Sequence, residues 1–102
     1  MANDIIRNYM RYLKLERNYT YNTLEAYRHD LEYLIEYARQ NDVALVDMKL
    51  ENLENFSASL HDKGIVARSQ ARILCGVRSF YRYLVTDGYI KDDPTELLPS
   101  PQ

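Results

Sequence analysis

Apolar residues recur along this chain at helical spacing. Ile5, Ile6, Tyr9, Tyr12 and Leu13 share one side of a helix predicted over 4–16, with Arg7, Arg11 and Lys14 opposite. A second helix is predicted from Asn22 to Gln40. Its stripe is Leu24, Tyr27, Leu31, Leu34, Ile35 and Ala38, and Glu25, His29, Glu32 and Glu36 point away. Asn22-Thr-Leu-Glu25 has the spacing of a capping box, in which Asn22 accepts from a first-turn amide and Glu25 reaches back. The connector after Gln40 carries Val43, Leu45, Val46 and Met48, expected against the core. A third helix over 50–63 turns Leu53, Phe56 and Leu60 inward and stops at Gly64. A fourth covers 67–86 and ends at Asp87-Gly88. Asp93-Pro94 reads as a cap and first-turn proline, opening a short helical turn through Leu98.

Only three glycines and three prolines interrupt 102 residues, so helix has few breakers to contend with. The length fits one domain with a modest core, assigned to 1–98, with 99–102 as a linker. No apolar run approaches the roughly 18 residues of a membrane helix. The start lacks the charged-then-apolar order of a signal peptide. One cysteine, Cys75, excludes an internal disulfide and a cysteine-rich zinc site. Neither His29 nor His61 has a second ligand at metal spacing, so no histidine metal site is expected. A reducing cytoplasm is the expected location.

Net charge is −2, from 15 acids and 13 bases, which argues against indiscriminate nucleic-acid binding. The distribution says more. Residues 30–62 hold Asp30, Glu32, Glu36, Asp42, Asp47, Glu51, Glu54 and Asp62 against Arg39 and Lys49. Residues 64–86 hold Arg68, Arg72, Arg78 and Arg82 and no acid. At about 100° per residue, those arginines fall within an arc of about 120° on the fourth helix. Cys75, Ser79 and Thr86 lie among them and Gly76 borders the arc, while Ile73, Val77, Phe80, Tyr81 and Leu84 face the other way. Arg68/Arg72 and Arg78/Arg82 are like-charge pairs at i,i+4, costing a few tenths of a kcal/mol each. A negative group is expected to offset them, either a partner or the acidic second and third helices. Guanidinium groups separated by small residues suit a DNA groove: they grip phosphates and read guanine edges, and hydroxyls between them donate to phosphates. A merely solvated face is the plainer alternative.

Three blocks resemble the N-terminal core-binding domain of tyrosine recombinases, the Xer and phage-integrase group. They are Asn22-Thr-Leu-Glu-Ala-Tyr27-Arg-His-Asp-Leu31, Ser69-Gln-Ala-Arg72-Ile-Leu-Cys-Gly-Val-Arg78-Ser-Phe-Tyr-Arg-Tyr-Leu84 and Asp92-Asp-Pro94-Thr-Glu-Leu-Leu98. They span nearly the whole chain in the family's order. The resemblance implies an all-α, four-helix, SAM-like orthogonal bundle with a short C-terminal helical turn. It implies that the second and fourth helices lie across the major groove of a recombination half-site. Carried over, the DNA-binding residues are Thr23, Tyr27 and Arg28, then Arg68, Ser69, Arg72, Arg78, Ser79 and Arg82. Tyr27 also lies on the apolar stripe, and Thr23 is equally a first-turn residue. Relatives often carry Ser or Thr as a cap where Arg68 stands, which leaves capping of the fourth helix to Ser69 or to water.

The family's nucleophile is a tyrosine in a separate C-terminal catalytic domain, with arginines, a lysine and histidines around it. The His-x-x-Arg signature is absent: His29 precedes Asp-Leu-Glu and His61 precedes Asp-Lys-Gly. The ten tyrosines, Tyr9, Tyr33, Tyr37, Tyr81 and Tyr83 among them, therefore read as packing and interface residues, and no catalytic residue is assigned. The resemblance implies a parent enzyme that breaks and rejoins DNA without metal or nucleotide. Its implied partners are duplex DNA and other recombinase protomers in a synaptic tetramer, with no membrane; the isolated domain is expected to be monomeric. The basic side of the first helix fits a solvated face or a contact with a neighbouring protomer. Two other readings stay open here: a SAM-like protein-interaction module with a basic face, and a helix-turn-helix regulator.

Overall fold

The computed structural model describes residues 2–99. Four helices follow one another: α1 (Ala2–Leu15), α2 (Tyr21–Gln40), α3 (Leu50–Asp62) and α4 (Ala67–Thr86). No strand occurs among the described residues. The connector between α2 and α3 forms a single 3-10 turn, Leu45–Asp47. It buries Leu45 and Met48 and half-buries Val43 and Val46, as their apolar character led one to expect. The fold is the all-helical bundle expected from periodicity.

The apolar stripes meet around α4, which packs on α2 and α3, while α1 packs on α2. Leu31 and Leu34 of α2, Leu53, Phe56 and Leu60 of α3, and Ile73, Leu74, Val77, Phe80 and Leu84 of α4 are essentially inaccessible to solvent. Tyr9 closes this core from the α1 side, with its ring 5.2 Å from Phe80 and 5.3 Å from Tyr83. Tyr81 donates from its hydroxyl to the Leu45 carbonyl at 2.7 Å, tying the connector to α4.

Three helix ends close in the same way. The amide two residues past the C-cap bonds back to a carbonyl in the last turn: Val43 to Ala38, Ile65 to Leu60, and Tyr89 to Leu84. That closure needs a left-handed residue between. Gly64 (φ 80°) and Gly88 (φ 81°) supply it, as does Asp42 (φ 54°). The two glycines were legible as stops; Asp42 was not, because a non-glycine residue rarely adopts this conformation.

Two predicted caps are corrected. The N-cap of α2 is Thr20, whose side chain accepts from the Thr23 amide, so the Asn22–Glu25 box does not form and the helix begins at Tyr21. Tyr19 fixes that entry by packing on Tyr27, 5.3 Å between ring centres. Helix α4 has Val66 as its N-cap with no side-chain capping bond, so Ser69 does not cap it. The segment after Asp93 forms hydrogen-bonded turns over 94–97, without regular helix. There Asp93 Oδ1 accepts from the Thr95 amide at 2.8 Å and its hydroxyl at 2.6 Å. Of the expected linker, 100–102 lie outside the described residues.

Candidate nucleic-acid interface

The outer side of α4 presents Arg68, Arg72 and Arg82 to solvent, with Ala71 and Cys75 exposed among them. Helical spacing therefore put these three arginines on the solvent side. Their surroundings differ. Arg68 and Arg82 meet no acid among the described residues. Arg72 reaches across to α2, where Asp30 Oδ1 accepts from Nε at 3.2 Å and lies 3.1 Å from Nη2. The expected internal counter-charge is thus present for one arginine of four. Arg78 is half-buried at the edge of the stripe and donates through Nη2 to the Leu98 carbonyl at 2.6 Å. That bond ties the stripe to the folded C-terminal turn.

Ser69 stands half-buried in the first turn of α4. Because no side chain caps that helix, its first amides keep their donors, which favours an anion. Ser79 is half-buried and turned toward the core, its oxygen accepting from the Tyr9 hydroxyl at 2.9 Å. Its own hydrogen remains able to donate.

On α2 the predicted residues separate. Thr23 and Tyr27 are half-buried on the flank that carries Asp30, and so belong with α4. Cys75 of α4 is close enough to Tyr27 to be felt electrostatically. A hydrogen bond to Tyr19, followed by burial, pushes the Tyr27 hydroxyl up to about 12. Arg17 lies over the Tyr19 ring at 5.5 Å from its centre, so a cation borders this edge as well. Arg28 is elsewhere. It lines the groove between α1 and α2 with Met10, Arg11 and Leu24. The adjacency of α2 and α4 thus brings Tyr27 to the arginine stripe, with Thr23 on the same side of α2 and Arg28 on the opposite flank. Sequence reasoning missed Asp30 as a member of this surface. The available signal was its spacing, seven residues after Thr23 and three after Tyr27, which keeps it on their side of the helix.

Eight of the ten tyrosines are buried or half-buried packing residues, whereas Tyr21 and Tyr89 are exposed. Tyr9 and Tyr81 are wholly buried and Tyr83 nearly so. Desolvation drives all three hydroxyls well above the ordinary 10.0, the reverse of what a nucleophile requires. A raised folded-state value means that the neutral hydroxyl is favoured in the native protein. Its stabilisation is complete below pH 10 and is lost as pH rises toward the folded-state value. For Tyr9 and Tyr81 the loss is on the order of 1 kcal/mol each by about pH 11. Urea titrations followed by circular dichroism should therefore hold a constant midpoint near neutrality and lose it above pH 10, with tyrosinate absorbance rising as the chain unfolds. An unchanged midpoint to pH 11 would contradict this burial.

No group of three or more His, Cys, Asp or Glu gathers as a metal site among the described residues, and no helix there is long and apolar enough to cross a membrane. What remains is a basic helix face beside a second helix, in an all-helical bundle. A family described as phage integrase, N-terminal SAM-like domain, matches residues 6–88. The chain belongs to that family. Its similarity to tyrosine recombinases extends through the third sequence block too. It is 38% identical over 95 residues to tyrosine recombinase XerC of Pseudomonas syringae pv. syringae, covering 92% of this chain and 32% of that protein. It is 32% identical over 102 residues to tyrosine recombinase XerD of Rhizobium meliloti, covering 100% and 33%. With XerD of Staphylococcus aureus the identity is 32% over 99 residues, covering 96% and 34%. The chain spans about a third of the length of these curated relatives. No solved structure matches it significantly.

Proposed function

We propose that this chain is the DNA-binding, core-binding domain of a Xer-type tyrosine recombinase, laying α2 and α4 across the major groove of a recombination half-site. The observation that carries the proposal is the outer face of α4. Three exposed arginines share it with small residues and no acid, beside Thr23 and Tyr27 of α2. Arg68 and Arg82 would grip phosphates, and Ser69 and the uncapped first amides of α4 would add donors at the Arg68 end. Arg72 is the candidate for a base edge or a well-defined phosphate. Arg78 and Ser79 would contribute the donors that Leu98 and Tyr9 leave free, and Thr23 and Tyr27 would border the groove. Arg28, on the other flank of α2, would reach only a strand that wraps past that helix.

The parent protein would break and rejoin DNA in the cytoplasm with a catalytic domain outside this chain, acting with other recombinase protomers in a synaptic tetramer. This chain alone would bind duplex as a monomer and leave it uncut. The relatives are named tyrosine recombinases and are about three times its length, which supports that division.

The test is titration of a labelled duplex with the chain and with Arg72→Ala plus Arg82→Ala. The double variant should lose about 1 kcal/mol or more of binding free energy and flatten the salt dependence. Absence of binding at low salt, or binding untouched by both substitutions, would transfer the stripe to an acidic protein partner.

A further inference from the structure

We propose that Asp30 is a positioning residue for DNA recognition: its buried carboxylate holds Arg72 so that one defined edge of the guanidinium faces the duplex, making Arg72 the residue that discriminates sequence. The inference rests on the DNA-binding reading above and adds a division of labour within the arginine stripe.

The pair is lopsided. The Asp30 side chain is 6% exposed, whereas that of Arg72 is 59% exposed. An exposed surface ion pair would hold nothing in place, because both partners would wander and water would compete. Here one partner is anchored. Asp30 is enclosed by α2 and by the backbone of α4 at Gly76, where an added Cβ would stand 3.5 Å from the Asp30 Cβ. A carboxylate so enclosed strongly favours a charged, hydrogen-bonded partner, and among the described residues Arg72 is the one it meets.

The direction of grip matters as well. Both contacts fall on Oδ1, from Nε and from Nη2. That occupies the side edge of the guanidinium. The terminal edge, Nη1 with the second hydrogen of Nη2, is left for an outside acceptor. Two parallel donors on a fixed plane match guanine O6 and N7, or two oxygens of a phosphate. Arg68 and Arg82 have no such anchor and keep their rotamer freedom, which suits phosphates at variable positions and not a base edge. The carboxylate also lowers the net charge of the stripe by one. Asp30 therefore weakens sequence-independent attraction while sharpening the aim of Arg72.

The experiment begins with selection of preferred duplexes from a randomised pool by the intact chain. Kd is then measured on a selected and a scrambled duplex, over a salt series, for the wild type, Asp30→Asn, Asp30→Ala, Arg72→Lys, Arg72→Ala and Asp30→Ala plus Arg72→Ala. Circular dichroism melting identifies any variant that fails to fold; Asp30→Asn, nearly isosteric, and Arg72→Lys, which keeps the charge, guard against that outcome. Asp30→Ala should bind scrambled duplex a few-fold more tightly, yet lose about tenfold in the ratio of selected to scrambled affinity. Arg72→Lys should keep the wild-type salt slope and lose the same discrimination. The double variant should discriminate no worse than Arg72→Ala alone, since the acid acts through the arginine. An unchanged ratio in Asp30→Ala and Asp30→Asn, additive losses in the double variant, or a wild type without sequence preference would each overturn the positioning role while leaving DNA binding intact. A wild type that binds neither duplex would overturn the DNA-binding reading, and this inference with it.

Discussion

Raising monovalent salt from about 50 to about 200 mM is expected to weaken duplex binding by this chain on the order of 50-fold. The estimate follows from the charge on the α4 face. Each phosphate neutralised releases condensed counterions and adds about −0.9 to the log–log slope. Four arginines counted from the sequence would give a slope of about −3 to −4. The structure lowers the figure, because Asp30 already neutralises Arg72 in part, and a slope of about −3 is expected. The acidic outer sides of α2 and α3, carrying Glu32, Glu36, Glu51 and Glu54, would add none of this attraction and would turn α4 toward a polyanion. Fluorescence anisotropy at four or five salt concentrations measures the slope directly. A slope flatter than about −1.5 would mean that the stripe does not meet phosphates.

Phe80→Ala is expected to cost about 3–5 kcal/mol of folding stability, a large part of what a domain of this size possesses. The ring is wholly buried. It stands edge-on to Tyr9 and Tyr81, 5.2 Å from each at interplanar angles of 76° and 73°. Truncation removes both ring contacts and leaves a cavity where α1 meets α4, lined by residues whose positions the rest of the core holds. The loss reaches the surface as well. Tyr9 is the donor that engages Ser79 on the α4 stripe, and Phe80 is the next residue along. Urea denaturation should therefore show a much lower midpoint, and the residual native population should bind duplex less well. Phe80→Leu, which refills most of the volume, should lose less than half as much. A midpoint within about 1 kcal/mol of wild type for the alanine variant would show that the core is not built around this ring.

Periodicity alone located all four helices, because an apolar stripe recurring every three to four residues has no other compact solution in a chain with so few breakers. Helix α4 spans Ala67 to Thr86, the range expected from the sequence. Glycine marked the stops after α3 and α4, since left-handed backbone favours that residue. The same reasoning put Arg68, Arg72 and Arg82 on the solvent side, and the three sequence blocks pointed to the family that the chain belongs to. These are properties of residue order along one segment.

Other features depended on which segments become neighbours. The capping box expected at Asn22 gives way to Thr20 as the N-cap, where Tyr19 packs on Tyr27. Arg28 and Tyr27 are adjacent in sequence, yet α1 claims the flank of the first and α4 borders that of the second. Arg78 looked like its stripe-mates until the C-terminal turn brought the Leu98 carbonyl to it. Asp30 read as one acid among eight, and only the crossing of α2 over α4 at Gly76 buries it and hands it Arg72. The sequence by itself determined the helices and the side of α4 that carries the charge, because those follow from local spacing. The tertiary structure decided which arginines are free and which are held, because a buried counter-charge exists only once two distant segments pack together.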